Sequence, residues 1–252
     1  MSMRIRGYAE GVPCWAELRV TDPVRAGDFY RELFGWQVDG EVFRLRGFAV
    51  AGLVATATPA AWLTYFATDD LAALPSRVGD SGGAVLHGPV AGTDGQSAVF
   101  ADPTGVAFGA WQRGTRAGAQ LGSEPDTVCW SELATRDEDA ATLFYGKVFG
   151  WAARPGEMVP GREYREWAFG DRVVAGMLPL GPEVPASVPV HWRTTVEVAD
   201  GTATVGRCRE LGGRVAFGPI EVAVGRYTQL VDPLGAHLGV VELRPELREP
   251  PD

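Results

Sequence analysis

A chain that repeats a long motif must fold as related units, and this chain repeats one. Near the start, Cys14-Trp15-Ala16-Glu17-Leu18 leads to Phe29-Tyr30-Arg31-Glu32-Leu33-Phe34-Gly35-Trp36. In the middle, Cys129-Trp130-Ser131-Glu132-Leu133 leads to Phe144-Tyr145-Gly146-Lys147-Val148-Phe149-Gly150-Trp151. Cys14 and Cys129, and likewise Phe29 and Phe144, are 115 residues apart. Asp102-Pro103-Thr104-Gly105 returns as Asp232-Pro233-Leu234-Gly235 at a spacing of 130, so the second half has gained 15 residues. The gain falls around 154–164 and 181–190, in loops, where specificity tends to lie. The units are 1–112 and 126–243, with a Gly-rich polar linker at 113–125 and a polar tail at 244–252.

Each unit opens on an alternating strand, Cys14–Val20 or Thr127–Thr135. By alternation Trp15, Glu17 and Arg19 share one face, and Cys14, Ala16 and Leu18 the other. Asp22-Pro23 and Asp137 read as helix N-caps, and Gly35 and Gly150 as stops. Short strands are expected near Val42–Arg46 and Phe48–Ala55. Trp62–Thr68 is another strand, followed by a helix capped by Asp69 or Asp70 and perturbed at Pro75. Strands then flank the Asp102-Pro103 turn. A fainter likeness of Leu18–Asp22 to Phe66–Asp69 divides the half again.

Composition narrows the class. The 46% hydrophobic and 22% charged fractions are those of a globular protein. A net charge of −9 opposes nucleic acid or an anionic membrane surface as partner. No run reaches the roughly 18 apolar residues of a membrane span. Three cysteines without a close pair, and no apolar leader, point to reduced thiols in a cytoplasmic protein.

The strand-to-helix pattern from Leu18 to Trp36 with Asp102 to Gly105, and again from Leu133 to Trp151 with Asp232 to Gly235, resembles the vicinal oxygen chelate superfamily of glyoxalase I, bleomycin-resistance proteins and extradiol dioxygenases. The resemblance spans nearly the whole chain. It implies an α+β fold of four βαβββ modules, forming two half-open mixed β-barrel clefts with helices outside. Duplication would supply internally what single-copy relatives obtain by dimerising, so a monomer is expected.

The family's metal enzymes carry His, Glu or Gln at strand positions that match Trp15 and Trp130, Leu63 and Arg193, and Gly109 and Gly239 here. The remaining ligand strand, Phe48–Thr56 or Val173–Leu180, has no His, Asp, Glu or Gln. Divalent metals need several N, O or S donors together. The resemblance therefore implies that no metal and no cofactor is bound.

By alternation the first cavity presents Trp15, Glu17, Arg19, Leu63, Tyr65 and Gly109. The second presents Trp130, Glu132, Arg193, Thr195, Glu197, His237 and Gly239. Tryptophan walls suit a planar ligand, and the two glycines would widen the cavities. Glu17 and Glu132 are candidate general acid/bases, or else partners of Arg19 and Arg193 that brace the sheet. His237 is a candidate base with Glu132 or Glu197, or else a satisfied wall residue. His191 reads as rim and His87 as surface loop. Cys14 and Cys129 are expected to face the helix layer.

The leading expectation is metal-independent binding of a small, aromatic or natural-product-like molecule. The alternative is an isomerase, hydratase or cyclase using Glu132 and His237. A metal-dependent lyase or dioxygenase is disfavoured by the missing ligands.

Overall fold

The computed structural model describes residues 3–158 and 161–248. The ends of the leader and tail, and residues 159–160 of the 154–164 insertion, lie outside the described residues. The first half contains β1 (Met3–Arg4), β2 (Pro13–Val20), α1 (Pro23–Phe34), β3 (Gln37–Asp39), β4 (Val42–Leu45), β5 (Phe48–Ala55), β6 (Ala61–Ala67), α2 (Leu74–Asp80), β7 (Ala84–Ala91), β8 (Gly95–Ala101) and β9 (Ala107–Arg113). The connection carries β10 (Leu121–Gly122), which pairs with β1. The second half contains β11 (Val128–Thr135), α3 (Glu138–Phe149), β12 (Ala152–Pro155), β13 (Arg165–Phe169), β14 (Arg172–Pro179), β15 (His191–Glu197), α4 (Gly201–Glu210), β16 (Arg214–Val222), β17 (Gly225–Val231), β18 (His237–Leu243) and α5 (Pro245–Arg248).

Each half forms one open, mixed eight-stranded sheet. The orders are β3-β4-β5-β2-β6-β9-β8-β7 and β12-β13-β14-β11-β15-β18-β17-β16. At the centre β2 runs antiparallel to β6, while β2–β5 and β6–β9 are parallel. Each sheet is thus two βαβββ modules side by side, as the resemblance implies.

The helix signals act as read. Asp22 and Asp137 accept from the amides of Arg25 and Ala140, and Gly35 and Gly150 close their helices at φ +73°. The helix α2 differs from expectation. Asp70 caps only a turn, accepting from Ala73 N at 3.1 Å, and the helix begins at Leu74. Pro75 sits in its first turn, where a missing N–H costs nothing, so it does not interrupt the helix. The edge strands β3 and β7 are exposed along their whole length. They lack the buried alternation that reveals a strand in sequence.

The cores lie between the halves. Leu18, Phe29, Tyr30 and Trp36 pack with Val196, Cys208, Leu230 and Leu238. Phe66, Leu74, Phe100 and Phe108 pack with Phe144, Tyr145, Trp151 and Trp192. Each half's first module therefore backs onto the other half's last.

The repeated motifs meet at these cores. The Tyr30 hydroxyl donates to Asp232 at 3.1 Å and accepts from Trp62 Nε1 at 3.2 Å. Tyr145 donates to Asp102 at 3.2 Å and accepts from Trp192 Nε1 at 2.8 Å. The same aspartates hold their own turns, accepting from the amides of Thr104 and Val106, or of Leu234 and Ala236. The Phe-Tyr and Asp-Pro motifs are therefore two ends of one buried tie across the halves. Burial drives both tyrosine pKa values well up, with the neighbouring aspartate adding to it.

Candidate functional site

The concave face of the second sheet carries two rows of side chains. Glu132 of β11 lies opposite Arg193 of β15. One step along, Trp130 pairs with Thr195, Thr195 with Gly239 of β18, and Gly239 with Gln229 of β17. Above them opens a cleft of about 2330 Å³, which Trp130, Glu132, Arg193, Thr195, Glu197 and His237 all line. Rim residues come from elsewhere, including Arg4 and Arg6 of the leader and Trp62 of the first half.

Polar contacts hold the floor. Arg193 Nη1 donates to Glu132 at 2.8 Å, and Nη2 donates to Gln229 at 2.9 Å and to Tyr227 at 3.3 Å. Tyr227 in turn donates to Gln229. Trp130 Nε1 donates to Tyr164 at 3.0 Å, which fixes the indole edge. Burial, with Glu132 next, pushes the Tyr164 phenol far above its ordinary value. Burial likewise pushes Tyr227 up to about 12. Both phenols are therefore neutral donors at pH 7.

Two histidines stand at one end of the cleft. Burial lowers His191 to about 4, with Arg193 and His237 adding to the effect. Burial, then Arg214 and Arg193, lowers His237. In both, burial and the neighbouring arginines favour the neutral ring. His191, expected at the rim, is among the residues that line the cleft.

Tyr164, Tyr227 and Gln229 were missed. Tyr164 comes from the 154–164 insertion, which has no repeat counterpart. Gln229 and His191 had a visible signal, because Val99 and Ala61 stand 130 residues before them.

The first sheet bears the same face in closed form. Arg19 Nε donates to Glu17 at 2.8 Å and Nη2 to Tyr65 at 3.0 Å, while Tyr65 donates to Glu17 at 3.0 Å. Trp15 is 6% exposed and Tyr65 2%. The linker lies across them, with the Arg116 guanidinium 4.1 Å from the Trp15 ring. Trp15, Glu17, Arg19 and Tyr65 are thus brought together, but under cover.

Two expectations fail on packing detail. A Cβ on Gly109 would collide with the Tyr65 ring, and one on Gly239 would meet Thr195 and Tyr227 at under 3 Å. The glycines make room for neighbouring side chains rather than widening the cavities. A register shift between Pro13 and Trp15, and between Val128 and Trp130, puts a bulge at each cysteine. Alternation breaks there. Cys14 packs with Trp15, Tyr65 and Trp111, and Cys129 lines the cleft instead of facing the helices. Burial raises the Cys129 thiol to about 12, so it is not a nucleophile at neutral pH.

The donor set does not fit a divalent metal. The matching positions offer an indole (Trp130), a guanidinium (Arg193) already bound to Glu132, and a glycine (Gly239). Among the described residues no three His, Cys, Asp or Glu side chains gather into a metal-holding group.

Paired βαβββ modules around a concave, aromatic-walled face define a class, and comparison with known proteins agrees. The model of the glyoxalase/bleomycin resistance protein/dioxygenase superfamily matches residues 14–110. Anthracycline biosynthesis protein DnrV of Streptomyces peucetius is 38% identical, over 94% of this chain and 95% of that protein. Putative glyoxylase CFP32 of Mycobacterium tuberculosis is 35% identical, over 95% and 97%. The Mn(II)-bound glyoxalase of Novosphingobium aromaticivorans superposes with a TM-score of 0.63 at 15% identity, covering 96% of this chain and 83% of that one. The 2,3-dioxygenase LapB of Pseudomonas sp. KL28 gives 0.64 at 15%, covering 95% and 96%. The chain belongs to the glyoxalase/bleomycin resistance protein/dioxygenase superfamily, in a form with two module pairs. No helix among the described residues is long and apolar enough to cross a membrane.

Proposed function

We propose that this protein binds a planar, fused-ring aromatic compound of natural-product type in the second-half cleft, without a metal or other cofactor. The observation that carries the reading is the contrast between two equivalent tryptophans. Trp15 is covered, whereas Trp130 has its edge fixed by Tyr164 and lines an open cleft. A pre-positioned indole beside neutral donors and acceptors is a recognition surface for a flat, oxygen-bearing ring. The likeness to two anthracycline biosynthesis proteins supports that ligand class, because an anthracycline carries a fused aromatic ring system. The net charge of −9 speaks against nucleic acid as partner. The paired modules already bury their backs within one chain, which favours a monomer, and three unpaired thiols favour the cytoplasm.

The test is a titration with a dihydroxyanthraquinone, read by tryptophan fluorescence after exhaustive chelation. Wild type should bind one probe per chain. Trp130→Ala should weaken binding about tenfold, and Trp15→Ala should leave affinity nearly unchanged. Binding that survives Trp130→Ala intact, or that chelation abolishes, overturns the reading.

A second reading rests on the two neutral histidines. His237, exposed at the start of β18 and lining the same cleft as the Glu132–Arg193 pair, would take a proton from a bound acidic C–H or O–H. The reaction would be an isomerisation or cyclisation. Deuterium uptake into a bound fused-ring ketone in heavy water checks it. His237→Ala should stop the exchange while leaving affinity intact; equal exchange by the variant removes His237 from the chemistry.

A further inference from the structure

The connection between the halves is seated like a ligand. Ala119 N donates to the Cys14 carbonyl at 2.8 Å and Gln120 N to that of Ala49 at 2.8 Å. Gln120 Oε1 accepts from Ala49 N at 2.9 Å, and the Tyr8 hydroxyl donates to the Ala119 carbonyl at 2.9 Å. Gly118 has φ +148°, and a Cβ there would run into the Cys14 carbonyl. Only glycine lets the chain come this close.

At the centre is Arg116. Its guanidinium lies 4.1 Å from the Trp15 ring centroid and 4.7 Å from that of Trp111. Its Nε donates to Asp94 at 3.1 Å, and its carbonyl accepts from Trp111 Nε1 at 3.0 Å. Thr115 adds a second bond to Asp94, at 3.2 Å. Nη1 is buried without a hydrogen-bond partner among the described residues, against aromatic faces that attract a cation. The pairing with Arg116 holds the Asp94 carboxyl below its ordinary range.

The second half lacks these parts. Val224 and Val241 stand where Asp94 and Trp111 stand, at the same spacing of 130. The chain there leaves β18 for the four-residue α5, and Trp130 lines the open cleft, whereas residues 114–120 lie over Trp15.

We propose that the first concave face is a binding site for a planar cation whose ligand is the chain's own Arg116, delivered by the linker as a tethered guest. Two indole rings take the guanidinium, at 4.1 and 4.7 Å, and Asp94 is its counter-ion. Once the arginine is cut back, the site takes an alkylguanidinium from solution. In the intact chain the first concave face is therefore closed to small molecules.

Chemical rescue tests this without reference to the ligand of the second cleft. Arg116→Ala should lower Tm by roughly 3–6 °C. Millimolar N-ethylguanidinium should restore most of that loss, and ethylammonium, equal in charge but not planar, should not. Wild type should respond to neither. Asp94→Asn in the Arg116→Ala background should abolish the rescue. An unchanged Tm in Arg116→Ala, equal rescue by both cations, or rescue that survives Asp94→Asn each overturns the proposal. Should Arg116→Ala not fold, Arg116→Lys keeps the charge and loses the plane. It should lose Tm by a similar amount, and wild-type stability in that variant overturns the planar-cation site.

Discussion

Along β6 and β9 the first half carries Ala61, Leu63, Ala67 and Ala107, and the matching places on β15 and β18 carry His191, Arg193, Glu197 and His237. Val99 of β8 likewise corresponds to Gln229 of β17, and Tyr65 to Thr195. Two copies of one backbone thus bear a less polar face and a more polar one. The first face is shut by its own tyrosine and by the linker, its remaining charges paired as Arg19–Glu17 and Arg116–Asp94. The polar face stays open. Its polar groups hold one another, as in the Arg193–Glu132 and Arg193–Gln229 hydrogen bonds, and this is the face on which the proposed ligand would sit.

One detail crosses the divide. Each half keeps a glutamate on its first strand and neutralises it with an arginine, but the arginine comes from a different strand. Arg19 sits two residues along from Glu17, while Arg193 reaches Glu132 from the neighbouring strand. The requirement is a cation near the carboxylate, and either side can supply it.

Replacing residues of one half with those of the other is the sharpest way to break this comparison. Arg193→Leu installs the residue of the first half and strips Glu132 of its cation. Both side chains are 15% exposed, so unfolding in urea should show a loss of about 3 kcal/mol. Arg19→Ala, at 32% exposure, should cost less than about 1 kcal/mol. Equal losses would mean that the two pairs are energetically alike.

Next come the cross-half ties. Tyr30→Phe and Tyr145→Phe each leave a buried aspartate and indole short of a partner, and each should cost about 1–3 kcal/mol. A large difference between them would show that the two cores are not equivalent.

Thr195→Tyr with Tyr227→Ser reproduces Tyr65 and Ser97 in the second sheet. Stability should change by less than about 1 kcal/mol, while affinity for the anthraquinone probe should fall at least about tenfold. Retained binding would separate the ligand site from the Trp130 row.

An effect absent at pH 7, and growing only in acid, belongs to His191. Its pKa falls from 6.5 in the unfolded chain to about 4 in the folded one, so the unfolded state binds the proton more readily in between. Stability is complete above about 6.5 and declines as the pH drops toward 4, by at most about 1.4 kcal/mol per unit. His191→Gln should flatten that slope, and Ala61 predicts no counterpart in the first half. An unchanged slope would assign the acid sensitivity to other groups.

What the sequence alone determined here is what repeats or alternates. The 115-residue spacing carried the duplication, the Asp and Gly caps carried α1 and α3, and the Trp-x-Glu rows put Trp130 and Glu132 on the cavity face. These signals are local, because capping, alternation and close turns depend on neighbours within a few residues. Only the tertiary structure decided the rest. That Tyr30 answers Asp232 and Tyr145 answers Asp102 depends on packing between residues some 200 and 43 positions apart. That the bulges turn Cys14 and Cys129 inward depends on strand register. The largest difference concerns the linker. Its glycines and polar residues read as a passive connector, yet they line up along β2 and β5 and close one cavity. Nothing local distinguishes a loop that merely joins two domains from one whose arginine meets two indoles, because Trp15, Asp94 and Trp111 come together only when the sheet has formed.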